Sequence, residues 1–275
     1  MFERATMKDA PLGQVSVYPE KYSSELLYPV PRQANRSKLG LDNGWPWFGE
    51  DRWQAFELSW LGPNGVPRVA IGELIVPGDS PNIIESKSLK LYCNSFNQTV
   101  FDTVEDVQHL MARDLSRVAG RQVNVTLAKV DSPATLLGRP DGFALLDDLP
   151  VVLDEYEKGA GDLKPVGPEG EQRYCSHLLK SNCPVTGQPD WGSVFITLNG
   201  PKLDEGGLLA YIVGYRNTQD FHEHCVESIF VDIMNRLKPI QLTVSAQYTR
   251  RGGLDINPWR STGQGSAPKW RLLRQ

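Results

Sequence analysis

Hydrophobic and polar positions along the first half of the chain change from an alternating pattern to a helical one and back. Two strands are predicted at WQAFELSWL (53–61) and PRVAIGELIVP (67–77), joined as a hairpin by the turn at 62–65. Two helices follow at ESKSLKLYCNSFN (85–97) and VEDVQHLMARDLSRVAG (104–120), where apolar residues recur near every 3.6 positions. A third strand is predicted at RQVNVTLAKV (121–130).

The same order of patterns returns in the second half. Strands are predicted at RYCSHLL (173–179), GSVFITLNG (192–200) and QLTVSAQYT (241–249), with helices at GGLLAYIVGYRN (206–217) and FHEHCVESIFVDIMNRLKP (221–239). The registers agree, since Asn97 and Asn217 end the first helix of each half and Gln122 and Gln241 open the strand that follows the helices. We therefore expect two copies of a strand-strand-helix-helix-strand unit.

This repeat predicts the division of the chain. Residues 1–50 are rich in Pro, Tyr and Gly without a helical period, which predicts an extended N-terminal arm that wraps over the body. A first module is expected at 51–150, a Gly-, Asp- and Glu-rich linker at 151–172, and a second module at 173–275. The predicted class is α+β, in which each module has an antiparallel sheet with two helices on one face.

Composition and charge argue against some classes of function. The chain has 275 residues, of which 40% are hydrophobic, and a formal net charge of -4, so no overall attraction to nucleic acid or to an anionic membrane is expected. The first residues, MFERATMKDAPLGQ, lack the apolar region of a signal peptide, and no 18-residue apolar run follows. We expect a soluble, cytoplasmic protein.

The four cysteines contain no CxxC pair and are expected to be free thiols. The cluster of His222, His224 and Cys225 lacks a second pair of ligands at a zinc spacing, so no metal site is predicted.

Cys183 is the first candidate for chemistry. It lies in LKSNCPVTGQPDWGS (179–193), where Pro184 ends a strand and a turn leads to Asp190. A free cysteine is most often a small buried residue without reactivity. A cysteine that has left a strand can also face a cavity as a nucleophile, and a carboxyl group within reach can then supply its proton.

His222 and Glu223 open the second long helix of the second half. A glutamate in the first turn of a helix is ordinary, because the positive helix end favours a carboxylate. The alternative is that Glu223 binds two adjacent N–H groups of a guanine-like ring edge, while His222 orients or protonates a substrate nitrogen. The sequence leaves both interpretations open.

Two segments could hold phosphate. Glu85, Ser86 and Lys87 open a predicted helix, and Arg250 and Arg251 precede two glycines that let the backbone approach an anion. A solvated charged surface explains these residues equally well. The chain has no GxGxxG, GxxxxGK[ST], HExxH or GxSxG, so a dinucleotide would not be bound by a Rossmann or P-loop device.

Four segments, taken together, resemble one known family. ESKSLKLYCNSFNQTVF, CPVTGQPDWGS, FHEHCVESIF and YTRRGGLDINPWRS occur in the order and at the length of the long, two-module NADPH-dependent 7-cyano-7-deazaguanine reductases of queuosine biosynthesis, and the resemblance extends to the YPVPR arm (28–32). It implies two tandem tunnelling-fold modules and a homodimer, with no membrane or direct nucleic-acid partner.

The resemblance also implies a reaction: a nitrile is reduced to a primary amine with two hydrides from NADPH. Cys183 would attack the nitrile carbon to form a covalent thioimide, with Asp190 as the proton donor and His222 as a further catalytic residue. The implied substrate-binding residues are Ile84, Glu85, Ser86, His222 and Glu223. The implied NADPH-binding residues are Ser86, Lys87, Arg251 and Gly252. Cys93 stands where the family has a plain apolar residue, and is expected to pack in the core.

Two other functions fit the same residues. A cysteine hydrolase would form the same thioimide and resolve it with water, which would give a carboxamide or an acid instead of an amine. A purine- or pterin-binding tunnel module would not catalyse anything, and Cys183→Ala would then leave ligand affinity and function intact.

Overall fold

The computed structural model describes residues 21–132, 138, 140–153, 159 and 162–275. The first half of the chain contains β1 (Pro29–Pro31), α1 (Gln33–Lys38), β2 (Phe48–Leu61), β3 (Pro67–Pro77), β4 (Asn82–Ile84), α2 (Ser86–Ser95), α3 (Val104–Ala119) and β5 (Asn124–Ala128). The second half contains β6 (Ala144–Leu145), β7 (Pro165–Ser176), β8 (Lys180–Asn182), β9 (Pro189–Leu203), α4 (Glu205–Val213), α5 (His222–Leu237), β10 (Gln241–Tyr248) and β11 (Leu254–Ser261). The predicted helices and strands of both halves are confirmed.

One sheet runs through both halves. Within the described ranges its strands follow the order β5-β3-β2-β11-β10-β9-β7-β6, and β8 pairs with β9 beside this path. In each half the three repeated strands lie side by side in chain order, as β2-β3-β5 and as β7-β9-β10. This shared topology supports the predicted repeat, and β11 joins the two halves by pairing with β2 on one side and β10 on the other. All of these pairings are antiparallel except that of β6 with β7.

The helices cover one face of this sheet, because the strands alternate apolar residues toward that face. In the first half, Trp53, Leu74 and Val125 pack in one core with α2 and α3. In the second half, Ile196 and Val244 pack in another core with α4 and α5. The α+β class with helices on one face is therefore confirmed.

Helix ends follow the signals in the sequence. Thr103 caps α3 through a capping box with Asp106, and Gly120 ends that helix in the left-handed region at φ 75°. Lys238 takes the left-handed conformation after α5, directly before Pro239. None of the helices in the described part of the chain is long and apolar enough to cross a membrane.

The N-terminal arm contains a helix that its pattern does not predict. Residues 1–20 of the predicted arm lie outside the described residues. In the remainder, β1 pairs with β4, and α1 follows with Asn35 and Arg36 as its buried residues. Because the buried side chains of α1 are polar, the segment shows no apolar period.

Strand β7 begins at Pro165, inside the stretch predicted as a linker. Most of its residues before Tyr174 are exposed, and they are rich in Pro, Gly and Glu, which is why they resemble a linker in the sequence. The division at 51–150, 151–172 and 173–275 stays a prediction.

Candidate active site

A cavity of about 340 Å³ lies on the helix side of the sheet where the two halves meet. Four ends of elements and side chains from β2 and β11 line it. The four ends are β4 with the start of α2, the β8–β9 hairpin, the start of α5, and the turn after β10. Its lining residues are Trp53, Ile84, Ser86, Cys183, Pro184, Asp190, Asp220, Phe221, His222, Glu223, Arg251 and Ile256.

The β8–β9 hairpin places Cys183 and Asp190 on the cavity wall. Asp190 pairs across the hairpin with Ser181, and Cys183 follows two residues after Ser181. Side chains two residues apart share a face, so Cys183 and Asp190 point the same way. The Cys183 N–H donates to the Gln188 carbonyl at 2.8 Å, and the Gly187 N–H donates to the Cys183 carbonyl at 3.0 Å. These two bonds close the turn and fix the thiol.

The four cysteines are buried free thiols, as predicted. Of these four, Cys183 is the one that lines the cavity, with 2% of its surface exposed and the Thr186 N–H donating to its sulfur at 3.5 Å. Cys93 packs in the core between the helices and the sheet of the first half, as expected. The position of Cys183 favours the nucleophile over the inert buried thiol.

Asp190 contacts two cationic or titratable side chains. Its Oδ1 lies 3.1 Å from Nη1 of Arg251, and its Oδ2 lies 3.4 Å from Nε2 of His222. The His222 ring stacks on Tyr248, and within the described residues neither of its buried ring nitrogens has a hydrogen-bond partner. A carboxyl group and an oriented imidazole therefore lie in contact in the cavity that Cys183 also lines.

Glu223 is a buried carboxylate on the same wall. It lies in the first turn of α5, and 2% of its surface is exposed. Burial raises the pKa of Glu223, and the nearby charge of Asp51 raises it further, while Arg32 and His222 act in the opposite direction. Its two oxygens are placed to accept two hydrogen bonds from a ligand in the cavity.

A buried ionic network lies behind Glu223, and the sequence analysis missed it. Glu227, one turn along α5, binds Arg36 at 2.7 Å and Arg260 at 2.9 Å, while Asp51 binds Arg260 at 2.8 Å and Arg32 at 2.5 Å. All five side chains are at most 2% exposed.

Although burial opposes ionisation, the arginines lower the pKa of Glu227 to about 2, and they also lower the pKa of Asp51. The signal that could have revealed the network is the presence of charged residues at positions that the apolar period assigns to the core, such as Glu227 in α5.

Glu85 acts as the N-cap of α2 and does not line the cavity. Its carboxylate accepts the N–H groups of Lys87 at 2.8 Å and Ser88 at 2.7 Å, and its side chain is buried. Burial raises the pKa of Glu85. The backbone N–H groups of Lys87 and Ser88 therefore already have an acceptor, and phosphate binding by Ser86 and Lys87 stays a prediction. The neighbours Ile84 and Ser86 do line the cavity.

Of the residues predicted to bind NADPH, Ser86 and Arg251 line the cavity, whereas Lys87 and Gly252 do not. Arg251 lines it, and Gly252 and Gly253 follow in the left-handed region at φ 63° and 76°, which favours glycine. Gly252 lies on the wall of a second cavity of about 400 Å³, beside Lys90. Lys87 lies in the first turn of α2 and lines neither cavity.

The cavity also has walls that the sequence does not reveal. Trp53, Phe221 and Ile256 supply apolar surface, and nothing in their patterns distinguishes them from core residues. Asp220 lines the cavity while accepting the Phe221 N–H at 2.8 Å. Within the described residues, no group of three His, Cys, Asp or Glu side chains is arranged to hold a metal ion.

The chain matches two protein-family models and is similar to several relatives. It matches "Nitrile reductase, 7-cyano-7-deazaguanine-reductase N-term" over residues 18–127 and "QueF-like protein" over residues 189–267. The NADPH-dependent 7-cyano-7-deazaguanine reductase of Chromohalobacter salexigens is 54% identical over 98% of both chains.

The reductases of the same name from Dechloromonas aromatica and Bordetella avium are 53% and 49% identical, over 97% and 95% of this chain and 95% and 96% of theirs. These matches extend over both halves of the chain.

Proposed function

Since the chain belongs to the family of NADPH-dependent 7-cyano-7-deazaguanine reductases, we propose that the cavity around Cys183 is its active site. The protein is an oxidoreductase that reduces 7-cyano-7-deazaguanine to 7-aminomethyl-7-deazaguanine with NADPH, in queuosine biosynthesis. The predicted family, function, enzyme class and cofactor are confirmed, as is the fold of two tandem tunnelling-fold modules.

Cys183 acts as the nucleophile. As its sulfur bonds to the electrophilic nitrile carbon, its S–H bond and one of the π bonds of the nitrile break. The nitrogen takes up a proton to give a thioimide, and the proton released from the thiol balances it. The observation that carries this proposal is that the thiol, Asp190 and His222 face one cavity. Reduction to the amine requires two hydrides and two protons in total, and the sulfur leaves again before the amine is complete. NADPH, when bound, supplies one hydride, so two NADPH molecules are consumed for each amine formed.

Asp190 supplies the proton to the nitrile nitrogen as the carbon–sulfur bond forms. It shares the hairpin of Cys183, so donor and nucleophile are held by the same pair of strands. His222 touches Asp190 and has its ring nitrogens free of protein hydrogen bonds within the described residues, which suits it to pass a proton to the site.

Glu223 binds the deazaguanine ring. The ring N–H and the exocyclic amine of a guanine-like edge are two adjacent donors, and one carboxylate accepts both. Ile84, Phe221 and Ile256 supply apolar walls for the flat ring, with Ser86 at the cavity edge. Glu85, the N-cap of α2 between Ile84 and Ser86, is a further substrate-binding residue of this segment.

NADPH is bound where Ser86 and Arg251 line the cavity, with Lys87 and Gly252 as their neighbours in the chain. These residues fit a phosphorylated cofactor because they combine two cationic side chains, a hydroxyl and a backbone segment that only glycine adopts readily. This arrangement accords with the absence of Rossmann and P-loop motifs from the sequence.

The functional unit is a homodimer, as the family resemblance implies. Support comes from the sheet, which ends at β5 on one side and at β6 on the other within the described part of the chain. An exposed strand edge can pair with a second copy. Light scattering coupled to size exclusion tests this assembly, and a monomer at working concentration would refute it.

The nucleophile is tested by intact-protein mass spectrometry with 7-cyano-7-deazaguanine and no NADPH. The wild type should gain the mass of one substrate molecule, Cys183→Ala should not, and Cys93→Ala should behave as the wild type because Cys93 lies outside this cavity. Loss of the adduct in both variants, or its persistence in Cys183→Ala, would refute the assignment. With NADPH present, amine as the product separates this reaction from hydrolysis, which would give a carboxamide.

A further inference from the structure

The active-site cavity and the second cavity are lined by the same two segments of the chain. Along α2, Ser86 lines the first cavity, and Lys90 and Asn94 line the second, followed by Asn97 just past the end of the helix. Residues spaced four apart lie on one side of a helix, so this side of α2 extends from one cavity to the other. The turn at 251–254 does the same, since Arg251 lines the first cavity and the next three residues line the second. A long ligand can therefore continue from the first cavity into the second along both segments.

The second cavity has the size and the polarity of a small-molecule site. Its volume of about 400 Å³ lies in the usual range for such sites, roughly 300–1,000 Å³. From Ser86 to Asn94 the helix rises about 12 Å, a distance that suits a dinucleotide, whose two ring systems are separated by two riboses and a pyrophosphate. The lining combines apolar surface with charged groups and amides: Ala55, Glu57, Leu58, Lys90, Cys93, Asn94, Asn97, Gly252, Gly253 and Leu254.

Asn97 brings an unsatisfied acceptor to this cavity. Its Nδ2 donates to Oδ1 of Asn94 at 3.0 Å, whereas its own Oδ1 is buried and has no hydrogen-bond partner within the described residues. A buried oxygen without a donor costs free energy, so a ligand that brings an N–H group is favoured at this position. The exocyclic amine of adenine is such a donor, and an amide side chain is a common partner for adenine.

Lys90 brings the positive charge. Its Nζ lies 3.6 Å from Oε2 of Glu57, and the two side chains are 36% and 64% exposed. An exposed ion pair of this kind is weak, and a phosphate monoester carries about two negative charges at pH 7, so a phosphate can take Lys90 from Glu57. A Cβ atom at Gly252 would lie 3.0 Å from Cδ and 3.3 Å from Nζ of Lys90. The bare glycine therefore lets Lys90 lie directly against the turn of the proposed NADPH site.

Resting on the proposed binding of NADPH at Ser86 and Arg251, we infer that the second cavity binds the adenosine part of the cofactor. Oδ1 of Asn97 accepts the adenine amine, and Lys90 binds the 2′-phosphate, the group that NADPH has and NADH lacks. The nicotinamide end then reaches the first cavity, which Cys183 lines. Lys90 thus selects NADPH over NADH at a distance from the reacting atoms.

The test measures dissociation constants by calorimetry without 7-cyano-7-deazaguanine, so that nothing is turned over. The ligands are NADPH and NADH, and the fragments adenosine 2′,5′-bisphosphate and AMP, which differ in the same 2′-phosphate. Lys90→Gln should weaken NADPH and the bisphosphate about tenfold and leave NADH and AMP within about twofold. Asn97→Ala should weaken all four ligands by a similar factor of about five, because all four contain adenine. Lys129→Gln is the matched control, since Lys129 is exposed and lines neither cavity, and it should change none of the four constants by more than about twofold.

The pattern of losses decides the inference. An equal loss of NADPH and NADH affinity in Lys90→Gln would overturn the assignment of the 2′-phosphate, and unchanged constants in Asn97→Ala would overturn that of the adenine. If Asn97→Ala fails to fold, the ratio of the NADPH and NADH constants in Lys90→Gln decides alone. Arg251→Ala separates the inference from the function on which it rests. If that variant loses NADPH affinity while Lys90→Gln and Asn97→Ala do not, the cofactor site stands and the inference falls, and if all three bind NADPH as the wild type does, both fall.

Discussion

The imidazole of His222 lies flat against the ring of Tyr248, with ring centroids 3.9 Å apart and an interplanar angle of 19°. Tyr248 is the last residue of β10 and is 1% exposed, so it forms a rigid support. On the other side, Nε2 of His222 lies 3.4 Å from Asp190. The stack therefore fixes the orientation in which His222 meets the proposed proton donor.

Replacement of Tyr248 tests this support. Tyr248→Phe keeps the stacked ring and should keep most of the activity. Tyr248→Leu removes the ring, so His222 can turn away from Asp190, and kcat should fall between roughly tenfold and a hundredfold, with stability reduced by about 2 kcal/mol. Steady-state kinetics and thermal unfolding of the two variants test this expectation. Equal kcat in both variants would show that the stack does not orient His222.

Asp190→Asn tests the proton donor. Asparagine keeps the shape of the side chain but cannot supply the proton, so the rate of thioimide formation and kcat should both fall on the order of a hundredfold or more. The affinity for 7-cyano-7-deazaguanine should change little, because Glu223 binds the ring. Rapid-quench mass spectrometry measures adduct formation directly. A wild-type rate of adduct formation in this variant would assign the proton to another group.

The sequence predicted most of this site because its key residues sit at ends of elements. Cys183 directly follows β8, Asp190 is the second residue of β9 and His222 is the first residue of α5, where turn and helix signals are strong. The repeat predicted the order of strands, since the same five elements recur in both halves. Family resemblance, and not spacing, supplied the roles of these residues.

The hydrophobic pattern of the sequence could not predict other parts of the site. Arg32 and Arg36 belong to an arm whose buried side chains are polar, so hydrophobic periodicity cannot detect their burial. Their partners Glu227 and Asp51 lie 191 and 19 residues away in the chain, and only the fold brings the four together. Glu85 is the N-cap of α2, which its sequence did not reveal, and its role in binding the substrate stays a prediction.

The binding of NADPH at its proposed site should depend on the salt concentration. Lys87→Ala and Arg251→Ala each remove a positive charge, so the KM for NADPH should rise more at low salt than at high salt, where the lost attraction is already screened. Arg251→Ala also removes an ion pair from Asp190, so its kcat should fall as well.

Arg250→Ala is the matched control for charge, because Arg250 lies over Phe56 and donates to the Gln275 carbonyl instead of lining the cavity. It should leave the salt dependence of KM unchanged. An unchanged KM for NADPH in both Lys87→Ala and Arg251→Ala would refute this side as the cofactor site.

Glu227 should make the fold sensitive to acid. Its pKa is about 2 in the folded protein, below the ordinary value of 4.5, because the attraction of Arg260 and Arg36 outweighs the effect of burial. A lowered carboxyl pKa contributes stability that is fully present above pH 4.5 and is lost as the pH falls toward 2. The wild type should lose on the order of 3 kcal/mol through this one group over that range.

Glu227→Gln tests the contribution. The variant leaves three buried arginines with one carboxylate fewer, so at pH 7 it should be less stable than the wild type by about 3–5 kcal/mol. The two unfolding free energies should converge as the pH falls below 4.5, because acid removes from the wild type the charge that the variant already lacks. Glu171→Gln, at an exposed ion pair with Arg173, should stay within about 0.5 kcal/mol of the wild type throughout. Urea unfolding from pH 7 to pH 3 measures the free energy of unfolding of the wild type and of both variants. A constant difference in this free energy between the wild type and Glu227→Gln would show that the arginines do not hold Glu227 ionised.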